Sequence, residues 1–173
     1  EAVGLAHAFV NELVASDACP GTVADKRIAS WRVKELVRVL LEMEGETGSG
    51  LVLEDTEVPV GGSEGVDVGG LRVRGRVDRI DVDPCDGSLF VVDYKTGGIV
   101  SSKHIGDEEA IQLPLYLMAL AAEREGTSIA GGAYLSPARR KRAGVVLASK
   151  TEAVGPIAAG SGGGGSGAYR VLS

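Results

Sequence analysis

Gly75-Arg76-Val77-Asp78-Arg79-Ile80-Asp81 and, a few residues later, Val91-Val92-Asp93-Tyr94-Lys95-Thr96-Gly97 are the stretches on which the fold turns. Residues 71–82 read as one long strand and 89–95 as the next. The second is almost wholly apolar before Asp93, which suits a central strand covered on both faces. Between them, Pro84-Cys85-Asp86-Gly87 has the composition of a hairpin turn, with Asp86-Gly87 its strongest signal. The two strands are therefore antiparallel neighbours. Alternation puts Asp93 and Lys95 on one side and Tyr94 on the other. Asp78 shares a side with Arg76 and Ile80, and Arg79 points away toward local acids. Asp78 and Asp93 then meet at one end of the pair.

Working outward, residues 3–15 have helical spacing, with Leu5, Ala6, Phe9, Val10 and Leu13 on one side and His7 at its edge. A turn with Pro20-Gly21 follows. Residues 24–44 are helical, with Val33, Leu36, Val37, Leu40 and Leu41 as the buried stripe and Trp31 as an anchor near its start. Ser30 is a candidate cap that would divide this segment into two shorter helices. Residues 51–60 read as a strand with Leu51, Leu53, Val58 and Val60 inward, and 61–70 as a polar turn. After a loop over 96–106, a helix lies within 108–125, with Pro114 near its start. Strands over 129–135 and 143–149 flank a turn over 137–142. A glycine-rich run over 160–167 reads as flexible, and 169–172 as a last short strand. This element order is an α/β arrangement.

The chain has 173 residues, enough for one domain with a core of its own. It reads as a single domain, and its start at Glu1 suggests a trimmed chain or a piece of something larger. Aromatic residues are 4% of the sequence against 44% hydrophobic, so Ala, Val and Leu must fill most of the core. The two cysteines, Cys19 and Cys85, form no disulfide framework or CxxC pair and read as reduced thiols in a cytoplasmic protein. No apolar run is long enough to span a membrane, and no signal peptide is visible. The net charge of −6 does not advertise a nucleic-acid binder. The acidic surplus lies in residues 1–100, however, and a local patch matters more than the total. Arg139-Arg140-Lys141-Arg142 is the one dense basic run. It reads either as a solvated hairpin tip or as a contact for phosphates, which would be sequence-independent and salt-sensitive.

Two carboxylates at one point repel unless something compensates. A divalent cation does so, and hard oxygen ligands suit Mg²⁺ or Mn²⁺. A site of two acids and a lysine fits metal-assisted attack of water on a phosphodiester. The competing reading is a surface salt-bridge cluster at a strand end.

Taken together, G-R-V-D-R-I-D, V-V-D-Y-K-T-G and the Q-L-P-L-Y of Gln112 to Tyr116 resemble the RecB-like nuclease family of the PD-(D/E)XK superfamily. That family includes the nuclease domains of RecB and AddAB-type helicase–nucleases and the CRISPR-associated Cas4-like nucleases. The resemblance implies a restriction-endonuclease-like fold, with a mixed central sheet flanked by helices. It implies a Mg²⁺- or Mn²⁺-dependent deoxyribonuclease, an exonuclease acting on DNA ends or single strands in repair or recombination, working with a helicase subunit or domain. A non-catalytic DNA-binding or scaffolding relative is the alternative.

By residue, the resemblance makes Asp78 the first acidic metal ligand, Asp93 the acid and Lys95 the lysine of the D-x-K element. The carbonyl of Tyr94 would be a further metal ligand. Gln112 and Tyr116, four apart on one helix face, would look back at the site. Gly4-Leu5-Ala6-His7 resembles the family's upstream G-x-x-H, which makes His7 a metal ligand. Glu57 resembles the glutamate preceding the G-x-x-D strand, with Glu54 as its competitor. His104, in the loop after Lys95, is a weaker candidate near the substrate. Two cysteines cannot hold the four-cysteine iron–sulfur cluster of some members. No G-x-x-x-x-G-K-[S/T] phosphate loop is present, so a motor would lie on another segment or subunit.

Overall fold

The computed structural model describes residues 2–16, 19–107, 110–155 and 169–173. The expected flexible run over 160–167 lies outside them. The chain forms two compact units, Glu1–Glu46 and Thr47–Ser173.

The first unit pairs helix α1 (Ala2–Ala15) with helix α2 (Val23–Gly45). The second helix is continuous, so Ser30 does not cap a new one. Its cap is Thr22, whose hydroxyl accepts from the Asp25 amide at 3.2 Å while the Asp25 carboxylate accepts from the Thr22 amide at 2.9 Å. This reciprocal box satisfies two helix-end amides at once. The expected stripe is displaced: Val39 and Met43 are buried, whereas Trp31 is 68% exposed and no anchor. Two helices bury the strip between them and leave wide flanks open, so apolar spacing alone does not name the buried edge.

The second unit is a six-stranded mixed sheet in the order β1-β4-β5-β6-β7-β8 with a separate hairpin β2-β3. The strands are β1 (Val52–Val60), β2 (Val66–Val68), β3 (Leu71–Val73), β4 (Gly75–Val82), β5 (Leu89–Tyr94), β6 (Ile129–Ser136), β7 (Lys141–Leu147) and β8 (Arg170–Leu172). Helix α3 (Gln112–Glu123) links β5 to β6, and the short α4 (Thr151–Val154) follows β7. Antiparallel pairing joins β1 to β4, β4 to β5 and β6 to β7, whereas β5–β6 and β7–β8 are parallel. A parallel neighbour needs a crossover, and α3 supplies it. This is the expected α/β architecture, with β5 buried along almost its whole length.

The turn after β4 forms as the sequence predicts. The Gly87 amide donates to the Asp83 carbonyl at 2.8 Å, and the Asp83 side chain accepts from the Cys85 amide at 2.9 Å. Lys150 ties the turn down by bonding Asp83 at 2.9 Å and also reaching Asp86.

Two expectations need correction. The long strand over 71–82 is broken at Arg74, and the polar turn over 61–70 contains β2. The reason is Gly69-Gly70, where φ is 61° and 87°. Two consecutive left-handed residues make the tight hairpin turn that pairs β2 with β3. Leu53, expected inward, is exposed, and the β1–β4 register slips between Leu53 and Asp55. Leu53 and Val58 are an odd number of residues apart, so this one slip would bring them to the same face; the positive φ of Glu57 is a second irregularity between them, and Leu53 ends on the open side. Val58 and Val60, beyond the slip, are buried as expected.

Candidate active site

Strand β5 carries Asp93 into the interior, where the residue is 2% exposed. The β4–β5 ladder runs from Val82↔Leu89 to Arg79↔Val92 and stops there. One register step on, Asp78 stands opposite Asp93. The Asp78 carboxylate accepts from the Tyr94 amide at 2.7 Å, so a side chain serves as acceptor just past the end of the ladder. Simple alternation is not kept on this strand, because Val77 and Ile80, three apart, are both fully buried. On β1, in line with Asp78, Glu57 has a φ of 55°, a local distortion beside the same point. Arg79 turns away from the pair: it donates to Asp81 at 2.7 Å and to the Tyr94 hydroxyl at 3.1 Å.

Lys95 Nζ lies 2.6 Å from Asp93 Oδ2. The contact is an ion pair without hydrogen-bond alignment, and this buried oxygen has no other partner among the described residues. Burial pushes the Asp93 carboxyl above its ordinary pKa; Lys95 pulls it down, and the charge of Asp78 pushes it up further. Lys95 also donates to Gln112 Oε1 at 2.6 Å, and Gln112 Nε2 donates to the Tyr116 hydroxyl at 3.0 Å. On α3, Gln112 thus holds Lys95 and Tyr116 holds Gln112. Tyr116 needs the glycine of G-R-V-D, because a Cβ on Gly75 would fall 2.7 Å from its ring.

Tyr134 completes this group, and sequence reasoning missed it. It pairs in register with Asp93 across the parallel β5–β6 ladder, and Lys95 Nζ sits 5.2 Å from its ring centroid. Its hydroxyl accepts from the Leu113 amide at 2.9 Å. Helix α3 has no side-chain cap at Ile111, so strand β6 supplies an acceptor for its first turn. A lone tyrosine in an otherwise apolar strand was the available signal, since a buried phenol seeks a partner. Tyr134→Phe should therefore lower stability by about 1–2 kcal/mol, as expected when a cap or buried hydrogen bond is lost. Denaturant unfolding at constant m-value checks it. A cleft of about 240 Å³ opens beside these residues, lined by Lys95, Gln112 and Tyr134 with Ile99, Val100 and Ala110.

The remaining candidates separate by position. Glu57 pairs with Arg76 at 3.5 Å on the surface. Glu54 pairs with Arg124, just past the far end of α3 from Gln112. His104 is paired with Asp107 at 2.8 Å. His7 lies in the helical unit, where its Nε2 is 3.3 Å from the Lys34 carbonyl. Both cysteines are free thiols. Among the described residues, no three His, Cys, Asp or Glu side chains converge as a metal cluster. Asp78 and Asp93 are a pair rather than a full shell. Their oxygens suit a hard divalent cation, which would offset the charge of the buried Asp93 beside Asp78.

Residues 4–159 match the family profile of the PD-(D/E)XK nuclease superfamily. The chain belongs to this superfamily. Its motif set is that of the RecB-like branch, and its mixed sheet flanked by helices is the superfamily's fold. No curated protein matches the sequence significantly. Members often use divalent metal ions, and the superfamily fits a nuclease-type protein with DNA as partner. No helix among the described residues is long and apolar enough to cross a membrane.

Proposed function

We propose that the chain is a Mg²⁺- or Mn²⁺-dependent deoxyribonuclease that hydrolyses phosphodiester bonds, acting as an exonuclease on DNA ends or single strands in repair or recombination. The observation that carries this is the buried Asp93 beside Asp78, with Lys95 2.6 Å from its Oδ2 and held in place by Gln112. Two neighbouring carboxylates, one of them buried, repel each other and gain from a divalent cation between them.

In this reading Asp78, Asp93 and the Tyr94 carbonyl hold the metal. His7 is a further ligand by its motif alone, and Glu57 supports the site from β1. When bound, the cation lowers the pKa of a water and offsets phosphate charge. Lys95 holds the attacking water, or stabilises the negative charge that grows on the phosphate oxygens. The water oxygen forms the new bond to phosphorus. The bond to the leaving sugar oxygen breaks, and that oxygen gains a proton. Gln112 fixes the lysine's direction, and Tyr116 fixes Gln112. A helicase partner would deliver the strand.

The test is incubation with end-labelled single- and double-stranded DNA in Mg²⁺, Mn²⁺ or EDTA. Cleavage is expected with either metal and none in EDTA. Mononucleotide release from an end distinguishes an exonuclease from an endonuclease. Metal-dependent binding without cleavage would instead favour the scaffolding alternative.

A further inference from the structure

The strand directions bring separate basic residues to the end of the sheet that holds Asp78 and Asp93. Strand β4 begins there, β5 and β6 end there, and β7 starts back from there. The Lys95 amide donates to the Leu135 carbonyl at 2.8 Å, and the Ser136 hydroxyl donates to the Gly97 carbonyl at 2.6 Å. The turn after β6 is therefore tied directly to the segment carrying Lys95. That turn exposes Arg139, Arg140 and Lys141, while Arg142 is buried. Arg74 and Arg76 are exposed at the start of β4.

Arg74, Arg139 and Lys141 have no ion pair among the described residues. Arg76 has the exposed pair with Glu57, of a kind worth little. At the opposite end of the sheet Asp81 pairs with Arg79, and Asp83 and Asp86 pair with Lys150. The net charge of −6 thus hides exposed basic side chains gathered at the end of the sheet that holds the candidate site.

We propose that this end of the sheet is a track for the backbone of one DNA strand, with Arg74 and Arg76 holding phosphates on one side of the Asp78–Asp93 pair and Arg139 and Lys141 on the other. The proposal rests on the nuclease reading for its substrate. Strands β4 to β7 are three spacings of about 4.8 Å apart, roughly 14 Å in all. Such contacts position the strand without reading its sequence.

The test measures binding of a labelled single-stranded oligodeoxynucleotide to the full chain in EDTA, over a series of KCl concentrations. Two double variants are compared with wild type: Arg139→Gln with Lys141→Gln, and Arg74→Gln with Arg76→Gln. Each removes two phosphate contacts, so the slope of log K against log salt should become shallower by about 1.4 in each. The loss should be alike for oligonucleotides of different sequence. An unchanged slope in either variant overturns the track, whatever the cleavage assay shows. Absence of wild-type cleavage alongside both slope changes would instead overturn the nuclease reading and leave a DNA-binding surface. A slope change with RNA but not DNA would overturn the choice of strand.

Discussion

Asp93→Asn is expected to abolish metal-dependent cleavage while raising the thermal midpoint of the protein in EDTA. The two effects have one cause. Asp93 is 2% exposed, its Oδ2 lacks an aligned hydrogen bond, and it stands beside another carboxylate. Burial and Asp78 both disfavour its charge, and Lys95 compensates only in part. An amide of the same shape removes that charge. Stability should then rise by on the order of 1 kcal/mol, or ~2–4 °C for a chain of this size. Cleavage loses several kcal/mol of charge stabilisation, which is ~10³-fold or more at about 1.4 kcal/mol per factor of ten. Thermal scans in EDTA and a gel assay in Mn²⁺ read the two halves separately. A fall in the midpoint would mean that the ion pair with Lys95 outweighs the cost of burial.

Lys95→Ala should reduce cleavage by ~10²–10³-fold, the scale for removing one group that stabilises transition-state charge. Gln112→Ala should cost less, roughly 10–10²-fold, because it leaves the ammonium in place and removes only its orientation. DNA binding should survive both changes. Tyr134 keeps its ring against Lys95 in the Gln112 variant, which limits how far the lysine can swing. Single-turnover rates at saturating DNA measure the ratio. Full activity of Lys95→Ala would sink the proposed mechanism, and equal losses in the two variants would make Gln112 a participant rather than a positioning residue.

The candidate site was legible where its geometry is local. Asp93 and Lys95 are two apart on one strand, and Gln112 and Tyr116 are four apart on one helix. Strand and helix periods place such pairs without knowledge of the rest of the chain. The Asp86-Gly87 turn brings Asp78 opposite Asp93 because hairpin register follows from the turn. Gly69-Gly70 carries the same kind of signal for β2 and β3, but within a stretch whose polarity reads as a turn throughout. Leu53 and Trp31 could not be placed by apolarity. One depends on two irregularities in β1, at Leu53–Asp55 and at Glu57, and the other on which edge of a helix pair is covered.

Tyr134 marks the boundary between the two kinds of information. By itself the sequence determined the strand pair around Asp78 and Asp93, the lysine two residues on, and the helix that answers it. Only the tertiary structure decided that β6 lies parallel to β5, in the register that sets Tyr134 beside Asp93 and under Lys95. It also decided that the basic turn after β6 opens at the carboxylate end of the sheet. Local periods fix which side chains share a face of one element. Which elements become neighbours across a crossover depends on how apolar faces are buried together, a property of the whole chain rather than of any window of it.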